Sequence, residues 1–528
     1  MNYLKLPAFG FIGLLKALML PAILLASCVA INTDILKNIE WRKLKPKISY
    51  KMIILFLFGF LIIYGGIDLL PVELHIPLMM LIVGLSIGYL WMLYFEFSGN
   101  LHKAVYVFFI CFPLLSLAEY WLKITTETFE GRIVFTPTVF FLISLFIGAL
   151  VAGRKKDIQL SRIHIATFIC LLVWLLSGLV SALLSVSPME SLREYVLQYV
   201  YSMLMLPVVF LSIDSFKKIN VFINILIISL LMNIILFFYM FQRFGTGLTS
   251  LLDMYGAGLA SGITSDAMGL LILFTFPLVL LMFSQESNVK RRSIYAGLYL
   301  LMALLMIVTF SRTNLICFVL GSSVFLFTRK IKEVSIAMIV LGLLFGVVFG
   351  VLLTDPQTNR YLTIFSGFND FSSQARFNGW LGAAEMIKAH PFFGIGTGMW
   401  GYYVANHVPP QHINLMIQGG KWAMGYIADP HNFYLLTYLE TGIIGFLSWL
   451  SFICLCLVAA FKLVLSKGKS FYPGIAFLSF LIANTANQLT GWRFVASFNG
   501  FFLSSLVYWG IIGLFLRSIS LKEKATNA

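Results

Sequence analysis

The chain has 528 residues, 60% of them hydrophobic and 11% charged, with a mean hydropathy of +0.92 and a formal net charge of +15. Roughly a quarter of the residues in a soluble protein are charged, so no arrangement of water-soluble domains fits this composition. The apolar residues come in runs of roughly 20, the length that crosses a ~30 Å hydrocarbon core, and the expected fold is an all-α polytopic membrane protein.

In chain order, the apolar runs predict about 14–15 transmembrane helices, near 8–30, 52–71, 77–95, 104–119, 134–152, 163–185, 195–212, 220–241, 267–284, 294–310, 313–328, 335–354, 433–461, 472–489 and 495–516. Lys16 and Pro21 interrupt the first, which either spans the membrane or lies on it. Without a small-residue cleavage site ahead of a hydrophilic region, it does not read as a signal peptide. Four parts follow: extra N-terminal membrane helices (1–103), core membrane helices (104–354), one large partly helical extracytoplasmic loop (355–432), and C-terminal membrane helices with a cytoplasmic tail (433–528).

Basic residues alternate between successive connections. They fill 31–51, 154–162, 290–292, 329–332, 462–469 and the tail, with Lys103, Lys217 and Lys218 between. About 25 of the 37 basic and about 8 of the 22 acidic residues lie there, giving roughly +17 on that side and about −2 on the other. The positive-inside rule makes the basic side cytoplasmic. The charge therefore reports topology, and no nucleic-acid partner is expected, since no basic loop interleaves aromatics for stacking. The six cysteines all fall in apolar spans and form no disulfide framework.

The outer loop holds the polar chemistry. Gln374–His390 has helical spacing, with Phe377, Trp380, Leu381, Ala384 and Ile387 on one side, Asp370 or Ser373 as a cap and Pro391 as a stop. Such a helix lies against the bilayer or roofs a cavity. Gly394, Gly396 and Gly398 follow, as a plain turn or, alternatively, an anion-binding nest. Asp429 is the expected N-cap of the next span, with Pro430 and His431 as its first two helical residues. A neutral imidazole at that mouth accepts a proton from a hydroxyl; a merely interfacial histidine is the simpler alternative.

Arg312 lies in a tight outer turn and opposes the basic-inside bias, and Arg360, Arg376 and Arg493 share its side. A guanidinium fork suits phosphate, so two or more that converge would hold a diphosphate; the alternative is neutralisation of Asp355, Asp370 or Glu385, or contact with lipid headgroups. Two prolines between His407 and His412 break the helical spacing a zinc pair requires, so no metal is expected on these histidines, His431 and Asp429. Glu440 falls on the opposite helix face from His431, roughly 13 Å along the axis, and reads as a packing or hydrogen-bonding residue.

Three pieces carry a family resemblance. These are Ser311–Arg312 at an outer turn, ARFNGWLGAAEMIKAHPFFGIGTGMW with Arg376 and Trp380, and HNFYLLTYLETGIIGF with His431, Asn432 and Glu440. In this order around one outer loop, they make residues 300–450 resemble the bacterial O-antigen ligase and polymerase superfamily of membrane glycosyltransferases. The resemblance implies a C-type glycosyltransferase architecture and a donor glycan on undecaprenyl diphosphate. It also implies inverting transfer without metal or cofactor. It assigns Arg312 and Arg376 to the diphosphate and His431 to the general base. Ser311, Trp380, Asp429, Asn432 and Glu440 are supporting residues, and Arg360 and Arg493 are added from position alone. The implied setting is the bacterial cytoplasmic membrane, among its lipids, with the site facing the periplasm. The acceptor is lipid A-core for a ligase or a lipid-linked glycan for a polymerase. A flippase or transporter of lipid-linked sugars is the rival class; it predicts internal repeats and ionisable residues near the midplane. No repeat is visible, although Lys16, Asp68 and Glu440 lie within spans.

Overall fold

A computed structural model describes residues 75–126, 137–153, 160–244, 265–308, 311–328, 371–407, 430–466, 470–489 and 501–527, with isolated positions at 158, 336, 339–340 and 342–343. The described residues form helices and no strand. In order these are α1 His75–Phe97, α2 Leu101–Thr126, α3 Pro137–Gly153, α4 Arg162–Leu183, α5 Pro188–Ser212, α6 Phe216–Phe244, α7 Ser265–Gln285, α8 Val289–Val308, α9 Arg312–Ser323, α10 Phe371–Ala389, α11 Trp400–His407, α12 Phe433–Leu465, α13 Phe471–Gln488 and α14 Phe501–Asn527. Six of the described helices are long and apolar enough to cross a membrane, within α4, α5, α6, α7, α12 and α14. The chain is an all-α polytopic membrane protein. The predicted spans 8–30 and 52–71 lie outside the described residues, as does most of 335–354.

The chain divides into two compact units. The first contains α1, α2, α3, α6 and the last residues of α5. Its core is aromatic: on α2, Phe108 meets Phe141 of α3 and Phe109 meets Phe222 of α6, with Phe112 against both α2 rings. Tyr106 donates to the Lys218 carbonyl (3.1 Å), which ties α2 to the start of α6.

The second unit contains α4, most of α5 and α7–α14. α7 and α14 are buried along nearly their whole length, whereas α4 exposes one stripe, Ile165, Ile169, Leu172, Leu176, Val180 and Leu183. That spacing is one helix face turned to lipid. α4 packs antiparallel to α12: Ser177 donates to the Thr441 carbonyl and Ser448 to the Cys170 carbonyl, both at 2.6 Å. Trp174, Trp449 and Trp509 cluster between them and α14 in tilted and edge-on contacts. The second strand of support is α13, antiparallel to both α12 and α9. Gly474 lies against Leu463 and Val464, and Ser479 donates to the Gly321 carbonyl (2.7 Å).

α5 begins at Pro188, seven residues before the predicted span, and contains a π-helical turn at Val196–Val200. The wider turn puts three consecutive residues, Leu197, Gln198 and Tyr199, on the buried side.

The largest departure from expectation is in α12. Hydropathy predicts one straight helix, yet Gly442 has φ 70 and ψ −176, and the chain reverses there. Ring centroids of Tyr438 and Phe446 lie 5.1 Å apart, and those of Phe433 and Trp449 5.3 Å. A straight helix would separate these pairs by roughly 12 and 24 Å along its axis. Residues 433–441 thus form a short limb folded back along the long limb, 443–465. The break frees Leu439 O and Ile443 N, which bond each other in an intact helix. Here Leu439 O accepts from Ile395 N (2.8 Å) and Ile443 N donates to Pro391 O (3.0 Å).

Candidate functional site

The short limb of α12 starts at Asn432, whose side chain accepts from Tyr434 N and Leu435 N at 3.0 Å each. The expected cap was Asp429, which lies outside the described residues, with His431 inside the first turn. His431 instead precedes the helix, with a left-handed φ of 51, and is 2% exposed. It is also not at the mouth of the span. The reversal at Gly442 carries it to the level of Trp449, roughly 10 Å below Gly442.

The other residues of interest reach the same level from three helices. Tyr434 donates to the Thr485 carbonyl (3.2 Å), and Asn487 donates to Asn314 Oδ1 (2.6 Å). The start of the short limb and the first turn of α9 therefore flank one end of α13. His431 and Arg312 belong to those two flanking segments. Ser311 is the N-cap residue of α9, and its side chain makes no capping bond. α10 closes the third side, where a Cβ on Gly379 would stand 3.4 Å from Pro430 Cα. Arg376, one turn earlier on α10, falls on the same helix face. Its Nε is buried without a hydrogen-bond partner, as is Trp380 Nε1. Arg360 and Arg493 lie outside the described residues.

At the other end of the short limb, the glycine run is a built turn. Gly394, Gly396 and Gly398 all have left-handed φ (75, 93 and 76). They are pressed against Leu439 and Gly442, against Ser185 and Ser191, and against Glu194, leaving no room for a Cβ. The turn does hold a carboxyl group, but one of the protein's own. Gly398 N donates to Glu440 Oε1 (2.9 Å), and Tyr199 donates to Glu440 Oε2 (2.5 Å). Glu440 is fully buried, so these bonds replace its lost hydration. Ser191 donates to the Thr397 carbonyl (3.0 Å) and Tyr402 to Glu190 (2.5 Å), fastening α5 to the same turn. The Glu190 carboxylate holds the Tyr402 hydroxyl above the usual phenol range.

Sequence reasoning missed Tyr199 and Arg193. Tyr199 is 241 positions from the carboxylate it bonds. Arg193 sits between Glu190 and Glu194 and looks neutralised by them. Those acids accept from Tyr402 and Gln198 instead, and Arg193 Nε and Nη2 are buried without hydrogen-bond partners. Among the described residues, Arg193 and Arg376 are the two arginines with such nitrogens.

No curated protein matches the chain. The sequence profile of the family described as O-antigen ligase matches residues 297–450, a stretch that includes α9, α10, α11 and the whole short limb of α12. Over residues 297–450, this membrane protein is thus similar to the O-antigen ligase family.

Proposed function

We propose that the protein is an inverting, metal-independent glycosyltransferase. It moves a glycan from undecaprenyl diphosphate to a hydroxyl of lipid A-core, at the periplasmic face of the bacterial inner membrane. The O-antigen ligase match supports a membrane glycosyltransferase-type activity. The observation that supports the residue assignment is His431, a buried non-glycine residue held at left-handed φ beside Pro430, which α10 approaches at Gly379, one turn from Arg376. Backbone strain of this kind persists where the surroundings enforce it, and it gathers at reactive sites.

In this reading, the acceptor oxygen attacks the anomeric carbon as the bond to the diphosphate breaks. The electron pair of that bond passes to the diphosphate oxygen, and the hydroxyl proton passes to an imidazole nitrogen of His431. Attack from the face opposite the leaving group inverts the configuration. Arg312 and Arg376 stabilise the charge that grows on the departing diphosphate, with Arg360 and Arg493 as further candidates. Trp380 and Ser311 support α10 and α9. Asn432 and Glu440 fix the short limb that presents His431.

The test is transfer by purified protein from a labelled undecaprenyl-diphosphate glycan, offered lipid A-core and a second lipid-linked glycan as acceptors. Label on lipid A-core, with inverted configuration, is the expected product. Label only on the lipid-linked acceptor makes the protein a polymerase, and movement of donor across the bilayer without transfer makes it a flippase. His431→Ala is expected to lose transfer at least ~100-fold while still binding donor. Arg312→Lys is expected to fail despite its charge, because a point charge lacks the guanidinium fork; full activity in that variant overturns the fork assignment.

A further inference from the structure

We infer that α10 is seated in the hydrocarbon of the outer leaflet, with Phe377 and Leu381 facing lipid acyl chains, rather than lying in water above the membrane. Register is the first reason. Gly379 meets Pro430 at the base of the short limb. Further along, Ala383 and Met386 join Ile395, Met399, Trp400 and Leu439 in one buried cluster, and Pro391 O accepts from Ile443 N at the top. α10 thus runs parallel to the short limb, from the level of Trp449 to that of Gly442. Its first half lies roughly 10 Å deeper than its end, at 1.5 Å per residue.

Surface chemistry is the second, independent reason. Positions 377, 381, 385 and 388 form one stripe on α10. Phe377 and Leu381, at the deep end, are each 47% exposed. Glu385 and Lys388, at the shallow end, have side chains 57% and 71% exposed and pair with each other at 2.7 Å. A stripe that changes from apolar to charged along its length suits a helix rising from hydrocarbon to headgroups. Phe392 and Phe393 stand exposed where the helix ends, the position of an interfacial aromatic belt. On the long limb, Ile444 and Leu447 are exposed as well. The inference stands whatever reaction the site performs.

The test labels Phe377→Cys, Leu381→Cys, Glu385→Cys and Lys388→Cys one at a time with a nitroxide. The native cysteines are replaced by alanine, and the full chain is reconstituted in phosphatidylethanolamine–phosphatidylglycerol vesicles. Collision with oxygen, which concentrates in hydrocarbon, is compared with collision with a water-soluble nickel chelate. The oxygen-to-nickel ratio is expected to fall steadily from position 377 to position 388. Nickel dominance at all four positions overturns the inference and leaves α10 in water. Exclusion of both reagents at 377 and 381 also overturns it, by showing a protein partner or a second copy on that face. Should the labelled chains not fold, Phe377→Trp and Lys388→Trp in acyl-brominated lipid provide the same comparison. Added fluorescence is expected to be quenched at 377 and not at 388, and equal quenching overturns the inference.

Discussion

The two limbs of α12 share one hydropathy profile and do different work. The long limb is held by apolar contacts, with Trp449, Phe452, Cys456 and Ala459 buried against neighbouring helices. The short limb adds a set of polar bonds to its apolar packing: Asn432 at its cap, Tyr434 on Thr485, and Glu440 on Tyr199 and Gly398. Apolar packing tolerates small slips, because dispersion has no direction. Hydrogen bonds to a buried carboxyl group do not, because each lost partner leaves a buried polar atom unsatisfied. The long limb therefore supplies stability, and the short limb supplies position.

That contrast can be broken at its pivot. Gly442→Ala places a Cβ against Phe392 backbone and demands a φ/ψ pair that only glycine adopts readily. The backbone alone costs on the order of 3 kcal/mol, and the contact adds to it. Loss of folded protein, read by size-exclusion chromatography in detergent, is the expected outcome. A well-folded Gly442→Ala protein would mean that the limbs do not reverse. Trp449→Ala removes the ring that Trp174, Trp509 and Phe433 share, at about 3–5 kcal/mol. The melting temperature should fall, while the protein that stays folded keeps much of its transfer rate. Tyr199→Phe is the smallest change and sharpens the contrast most. It removes one donor from Glu440 at about 1–3 kcal/mol. Transfer should drop more than melting temperature does; an equal fall in both assigns the bond to stability alone.

Much of the fold was legible because hydropathy and charge alternation are local. Most described spans begin and end within about five residues of their predicted limits, although α2 runs on to Thr126 and α14 is shifted to Phe501–Asn527, and α10 ends at Ala389, two residues before the expected stop at Pro391. α5 departs as well, because the amphipathic turn Pro188–Glu194 hides its true start. The reversal at Gly442 was not legible, since apolar residues continue on both sides and the groups that satisfy the break come from Pro391 and Ile395. The same distance hid the true cap. Asp429 and Asn432 are both good capping residues, and sequence does not reveal which one tertiary contact selects.

The mended break at Gly442 also sets the boundaries for exchanging parts between relatives. Residues 391–398 and 439–443 each complete hydrogen bonds of the other, so neither is a self-contained insert. A chimaera that imports a foreign outer loop up to the start of α12 inherits a helix with two bare backbone groups in an apolar surrounding. A graft that runs from the first turn of α10 through Gly445 transfers both halves of the splice as one cassette. Substrate preference in such proteins should travel with that cassette.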